Sequence, residues 1–136
     1  MRRLLIAASA VMLAGCGGLS EADTKACGDG RKLVAYALGI TGVAPEEVVG
    51  VMTEATRDRF RTTAAEAEDE SVKQALTALE KTMAGFRPTP VTATGTTIAE
   101  QFLAKAESDR RRQENVDKLE AALREQKAAL DEACGT

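Results

Sequence analysis

The sequence predicts an all-α protein, and three observations carry that prediction. Ala, Glu, Gln, Lys, Leu and Arg dominate the chain, and these side chains lose little rotamer freedom in a helix. Apolar residues recur at three- and four-residue intervals over most of its length. Glycine and proline gather at a few breakpoints, chiefly 39–45 and 85–95, and neither occurs from Thr96 to Cys134. The arrangement expected is a long antiparallel hairpin of helices 46–84 and 98–132 with a shorter helix, 21–39, packed against it. A four-helix bundle, in which 46–84 breaks in two, is the alternative. The aromatic residues are Tyr36, Phe60, Phe86 and Phe102, with no Trp, so the core must be built largely from aliphatic side chains.

The first fifteen residues stand apart from this pattern. Arg2 and Arg3 form a charged start, residues 4–13 an apolar run too short to span a bilayer, and small residues follow. The run ends in Leu13-Ala14-Gly15-Cys16, which resembles the bacterial lipoprotein signal consensus at all four positions. That resemblance implies cleavage after Gly15, a diacylglyceryl group on the Cys16 thiol and frequent acylation of the new amine. Residues 1–15 are then a signal peptide, 16–20 a lipid-anchored tether and 21–134 the helical domain. The four steps from Cys16 to Ser20 reach at most ~14 Å, so the domain is expected to sit close to its membrane.

Without residues 1–15 the chain keeps 121 of its 136 residues, enough for one domain. Arg2 and Arg3 leave with that segment, so 16 basic residues face 21 acidic ones, a net charge of −5. Such a balance argues against nucleic acid and against a basic membrane-binding face, which leaves attachment to the acyl chains. Lipidation would consume Cys16, leaving Cys27 and Cys134. In an exported protein the even remainder points to a Cys27–Cys134 disulfide that closes nearly the whole domain.

In the first helix, Ser20 is a good N-cap, and Leu19, Ala22, Ala26, Gly30, Leu33, Ala37 and Ile40 recur at helical spacing. Gly28 and Gly30 weaken it, so Asp29 is a second candidate start. Cys27-Gly28-Asp29-Gly30 is no phosphate loop, because no strand precedes it and the P-loop lysine spacing is missing. Gly39 and Gly42 close this helix. Pro45, Glu46 and Glu47 open the next, with proline at the start and acids near the positive end of the dipole.

Two apolar stripes follow. One runs through Val48 or Val49, Met52, Thr56, Phe60 and Thr63; the other through Val72, Leu76, Leu79, Met83 and Phe86. Their phases do not join, and the acidic 66–70 stretch lies between them. An antiparallel register in which residue 84 meets residue 97 sets acids 68–70 opposite residues 110–113, and this favours one continuous helix. The disulfide argues the same way, since two stacked helices would leave the last helix overshooting Cys27 by about 35 Å whereas a continuous hairpin leaves a gap of about 18 Å, and neither closes cleanly.

Residues 87–96, with Pro88, Pro90 and Gly95, form the main loop. Its threonine-rich run also has the composition of an O-glycosylated stalk, with a plain connection the simpler reading. Thr97 to Glu100 is a capping box that starts the last helix. Ile98, Phe102, Val116, Leu119, Leu123, Leu130 and Ala133 follow a single heptad seam. Arg110, Arg111 and Arg112 form a candidate interaction patch, although Glu107, Asp109 and Glu114 beside them suit a solvated face as well.

No histidine is present, which removes the commonest general base and zinc ligand, and neither cysteine of the domain has a CxxC partner. No enzyme activity, cofactor or metal is expected. The expected role is a non-catalytic interaction or structural module of the cell envelope, anchored in the cell membrane or outer membrane and facing the periplasm or exterior. Its partners are the membrane, through the lipid, and an envelope protein. The alternative is a ligand-binding lipoprotein whose cavity is lined by Met52, Phe60, Met83, Phe86 and Phe102.

Overall fold

A computed structural model describes residues 18–90 and 94–135. Cys16 and the signal segment lie outside the described residues. Four helices, α1 (Glu21–Thr41), α2 (Glu46–Glu66), α3 (Glu70–Gly85) and α4 (Ile98–Ala133), pack together, and no strand occurs among the described residues.

α1 starts where Ser20 Oγ accepts the Asp23 backbone N–H at 3.1 Å. It runs through Gly28 and Gly30. Gly30 has a packing reason to be there: a Cβ at this position would lie 2.5 Å from Leu76 Cδ2 and 3.1 Å from Leu130 Cδ2. Its missing side chain lets α1 approach α3 and α4 closely. The helix continues past Gly39 to Thr41, whose hydroxyl donates to the Leu38 carbonyl at 3.0 Å.

α2 buries Val49, Met52 and Phe60 together with three threonines. Thr53, Thr56 and Thr63 donate their hydroxyls to the carbonyls of Gly50, Met52 and Arg59, at 2.7, 2.8 and 2.8 Å. A buried hydroxyl satisfied within its own helix leaves its methyl free to pack.

The continuous 46–84 helix is not formed. The chain turns at residues 67–69, and α3 folds back antiparallel to α2. Two carboxylates explain the break. Asp69 caps α3, accepting the N–H groups of Ser71 (2.8 Å) and Val72 (3.1 Å), while Asp23 of α1 accepts those of Glu68 (2.7 Å) and Asp69 (2.9 Å). Four of the amides released by breaking the helix, those of Glu68, Asp69, Ser71 and Val72, thus find carboxylate acceptors. Each half then buries its own stripe: Val72, Leu76, Leu79 and Met83 face inward on α3 as their spacing predicts.

α1 lies beside α2 and α4, and α3 lies beside the same two, giving an up-down-up-down four-helix bundle. Cross-links between neighbours set the register: Lys25 to Glu66 (2.8 Å), Arg61 to Glu80 (2.8 Å), Thr82 to Gln126 (2.6 Å) and Arg31 to Asp131 (2.8 Å). The Cys27–Cys134 disulfide ties the start of α1 to the end of α4 across a Cα–Cα distance of 6.0 Å. We call this end of the bundle the basal pole. The other end, with the 42–45 link and the start of α2, is the apical pole.

The overshoot of Cys27 expected for a broken 46–84 segment does not occur, since Cys134 is bonded to Cys27; the surplus length of α4 stands at the apical pole instead. At 1.5 Å per residue α1 and α2 are each about 32 Å long, α3 about 24 Å and α4 about 54 Å. α4 begins beyond the bundle, and its first three turns or so, residues 98–108, stand above it. Acids 68–70 and arginines 110–112 consequently lie at opposite poles, not opposite each other as the hairpin register required.

Candidate interaction surface

The apical pole is organised by Glu46. As the first residue of α2 it is pushed inward, only 4 % exposed, beneath the chain that leaves α3. Its Oε1 accepts the Thr89 backbone N–H (2.8 Å), the Thr89 hydroxyl (2.8 Å) and Asn115 Nδ2 (2.6 Å). Asn115 Nδ2 also donates to the Arg87 carbonyl at 2.8 Å. Arg112 adds its guanidinium, with Nε 3.6 Å from Glu46 and Nη1 2.6 Å from Glu47. Burial pushes the Glu46 carboxyl up, but the hydrogen bonds from Asn115 and Thr89 and the Arg112 charge outweigh it, leaving the group below its ordinary range. Glu46 thus clamps the loop after α3 to the middle of α4.

Beyond this clamp α4 continues as an arm that the rest of the bundle leaves uncovered, with only Thr89, Pro90 and Thr94 lying against its Ala104, Glu107, Ser108 and Arg111. Asp109 is level with Ala44 and Pro45, and residues 98–108 extend past them. The arm displays Ile98, Phe102 and Leu103 at 87, 71 and 68 % exposure. Ile98 and Phe102 belong to the seam whose later members Val116, Leu119, Leu123 and Leu130 are buried. The seam is therefore half used: the bundle covers its carboxyl-terminal part and leaves its amino-terminal part in solvent.

The three arginines do not form one free basic face. Arg110 pairs with Glu107 (2.8 Å) and Glu114 (3.0 Å), Arg111 pairs with Glu107 (2.9 Å), and Arg112 turns inward to Glu46 and Glu47. Arg110 and Arg111 hold the Glu107 carboxyl below its ordinary range. Their role in the structure is to rigidify the arm and to seat it on the clamp.

The residues suggested as a ligand-cavity lining are separated. Met52 and Phe60 are core, at 3 and 0 % exposure, and Phe102 is on the arm. Met83 and Phe86 form a wall of a solvent-open groove of about 480 Å³ between α2 and α3, with Gly50, Val51 and Pro88 beside them and Glu47, Glu54, Arg57 and Arg87 around the edge. Among the described residues no group of three or more acids, cysteines or histidines is placed to hold a metal ion, and no helix is long and apolar enough to cross a membrane.

The sequence reading missed Glu46 and Asp23 as organising groups. Nothing in their local sequence separates them from the other acids of a first helical turn, because their partners lie 43 to 69 positions away for Glu46 and 45 to 46 for Asp23. Comparison with known proteins finds no matching family model, curated protein or solved structure.

Proposed function

We propose that this chain is an exported, lipid-anchored, non-catalytic module of the cell envelope that holds a protein-binding helical arm away from its own membrane. The observation that carries this reading is the position of the apolar arm. Gly18 and Ser20 enter α1 at the basal pole, and Ile98, Phe102 and Leu103 are displayed beyond the apical one. Two chain steps separate Cys16 from Gly18, a reach of at most ~7 Å, so a lipid on Cys16 would lie near the basal pole. The arm tip would then stand on the order of 50 Å from that pole along α4. An exposed seam of coiled-coil spacing suits a helix-in-groove or helix-on-helix contact.

The test has two arms. Intact mass of the membrane-extracted chain should show cleavage after Gly15 and a diacylglyceryl adduct, and Cys16→Ser should be left unprocessed and lose stable membrane attachment. Normal processing and retention of Cys16→Ser would sink the anchored part of the reading. A photo-crosslinker at position 102 in intact cells should trap a defined protein, while the same probe at Lys32 should not; equal labelling at both would remove the case for the arm.

A further inference from the structure

No residue in 98–111 is buried, whereas Val116, Leu119, Leu123 and Leu130 of the same helix are. The arm therefore lacks the packing that supplies most helical stability in proteins, and a free helix of this length is marginal in water. Its own resources are the Thr97/Glu100 capping box and exposed pairs such as Lys105 with Asp109 and Arg111 with Glu107, each of which contributes little.

The remaining support is the chain that rises beside it, described at residues 86–90 and 94–97. This strap is fastened at both ends. At the bottom, Thr89 donates its N–H and hydroxyl to Glu46, and Asn115 of α4 donates both to Glu46 and to the Arg87 carbonyl. At the top, Gly95 lies so close to the first turn of α4 that a Cβ there would come within 2.9 Å of the Gln101 backbone nitrogen and of Glu100 Cβ. Gln101 Nε2 donates to the Gly95 carbonyl at 3.3 Å, and the Glu100 carboxylate accepts the N–H groups of Thr96 and Thr97 at 2.9 and 3.0 Å. Between the fastenings the strap lies against Ala104, Glu107, Ser108 and Arg111, a single stripe at i, i+3, i+4 and i+7. At 3.6 residues per turn Ile98 and Phe102 fall roughly opposite that stripe, so the strap braces the arm without covering them.

We infer that the strap is a splint: the arm opens and closes as a unit separate from the bundle, and the fastenings at Glu46 and Gly95 set the fraction of time it is helical. For the binding role this rests on the preceding reading of the arm. A partner that needs the helix binds more weakly in proportion to the time the arm is open, so the splint sets its apparent affinity. The opening itself stands apart from that reading.

Native-state hydrogen exchange of the full chain in detergent, read by mass spectrometry, tests the splint. In the parent, amides of 101–111 should exchange about a hundredfold faster than those of 116–130 in the same helix. Gly95 lies outside the bundle, so Gly95→Ala should speed the arm a further tenfold or so and leave 116–130 at the parental rate. Asn115→Ala, which loosens the lower fastening while keeping Glu46, should also speed the arm more than α1. Because the fastenings act in series, the double variant should open the arm little further than the stronger single change. Equal protection on both sides of residue 112 in the parent would overturn the splint. So would a parental arm rate in Gly95→Ala, or variants that speed the arm and α1 alike. A crosslinker at position 102 that traps nothing, with the exchange pattern as expected, would remove the binding reading alone. A trapped partner with an unaltered arm in Gly95→Ala would remove the splint alone.

Discussion

Asp23, in the first turn of α1, accepts the backbone N–H of Asp69 at 2.9 Å, 46 positions along the chain. The same oxygen takes the Glu68 N–H at 2.7 Å, so a side chain of one helix supplies the acceptors for the corner between two others. Without it the corner amides lose their protein acceptor. Asp23→Ala is expected to lower the thermal midpoint clearly more than Asp29→Ala, whose carboxylate has only an exposed pair with Lys25. Matching melting curves for the two variants would show that the corner stands without Asp23.

Acid should unfold the bundle through this corner and the apical clamp together. The Asp69 amide holds the Asp23 carboxyl below its usual 3.8 against the opposing effect of burial, and Glu46 lies below its usual 4.5 as described. Lowered carboxyl values in the folded state mean that the stability they contribute is present above the ordinary values and is lost as pH falls through the folded ones. Urea stability is therefore expected to be flat from about pH 7 to 5 and to decline below about pH 4. The Asp23→Asn, Glu46→Gln double variant should decline less steeply, and parallel curves for variant and parent would refute the assignment.

Gly28 and Gly30, both within α1, predict opposite outcomes. A Cβ on Gly28 meets nothing within 4 Å, so Gly28→Ala should stabilise the protein by about 0.5–1 kcal/mol through helix propensity. Gly30→Val would drive its side chain into Leu76 and Leu130 and should cost about 1–3 kcal/mol. Denaturant midpoints of both variants measure this; equal signs would contradict the close approach of α1 to α3 and α4.

The disulfide links residues 107 positions apart, so the unfolded chain is constrained over nearly the whole domain. A Cys27→Ser, Cys134→Ser double variant is expected to keep its helix content and to lose about 4–5 kcal/mol by the loop-entropy argument. A thermal midpoint unchanged by the double substitution would exclude that contribution.

Phe60 and Phe102 are the same residue type in opposite settings, fully buried and 71 % exposed. Phe60→Ala should cost about 3–5 kcal/mol, whereas Phe102→Ala should change stability by no more than about 0.5 kcal/mol. Comparable losses, read from chemical denaturation of the monomer, would place the arm inside the folding unit.

The helices themselves were legible because their signals are local. Ser20, Pro45 and the Thr97/Glu100 capping box mark starts that the structure keeps, and the stripes of α2 and α3 face inward as their spacing requires. The cysteine pairing was legible from parity, and the structure joins the two residues counted. The break at 67–69 left a trace, since the two stripes were out of phase, but charge matching between 68–70 and 110–113 pointed the other way. That matching carried little weight physically, because exposed charges find other partners easily: Arg112 found Glu46 and Glu47 instead.

By itself, then, the amino-acid order determined where α1, α2 and α4 begin, which helix faces are apolar and that Cys27 and Cys134 remain to pair, since each depends on residues a few positions apart or on a simple count. Tertiary structure alone decided that the chain turns at Ala67, that Asp23 and Glu46 are clamps, and that Ile98 and Phe102 stay in solvent while Leu119 and Leu123 on the same seam are buried. Periodicity says that a face is apolar; only the height of the neighbouring helices says whether anything covers it.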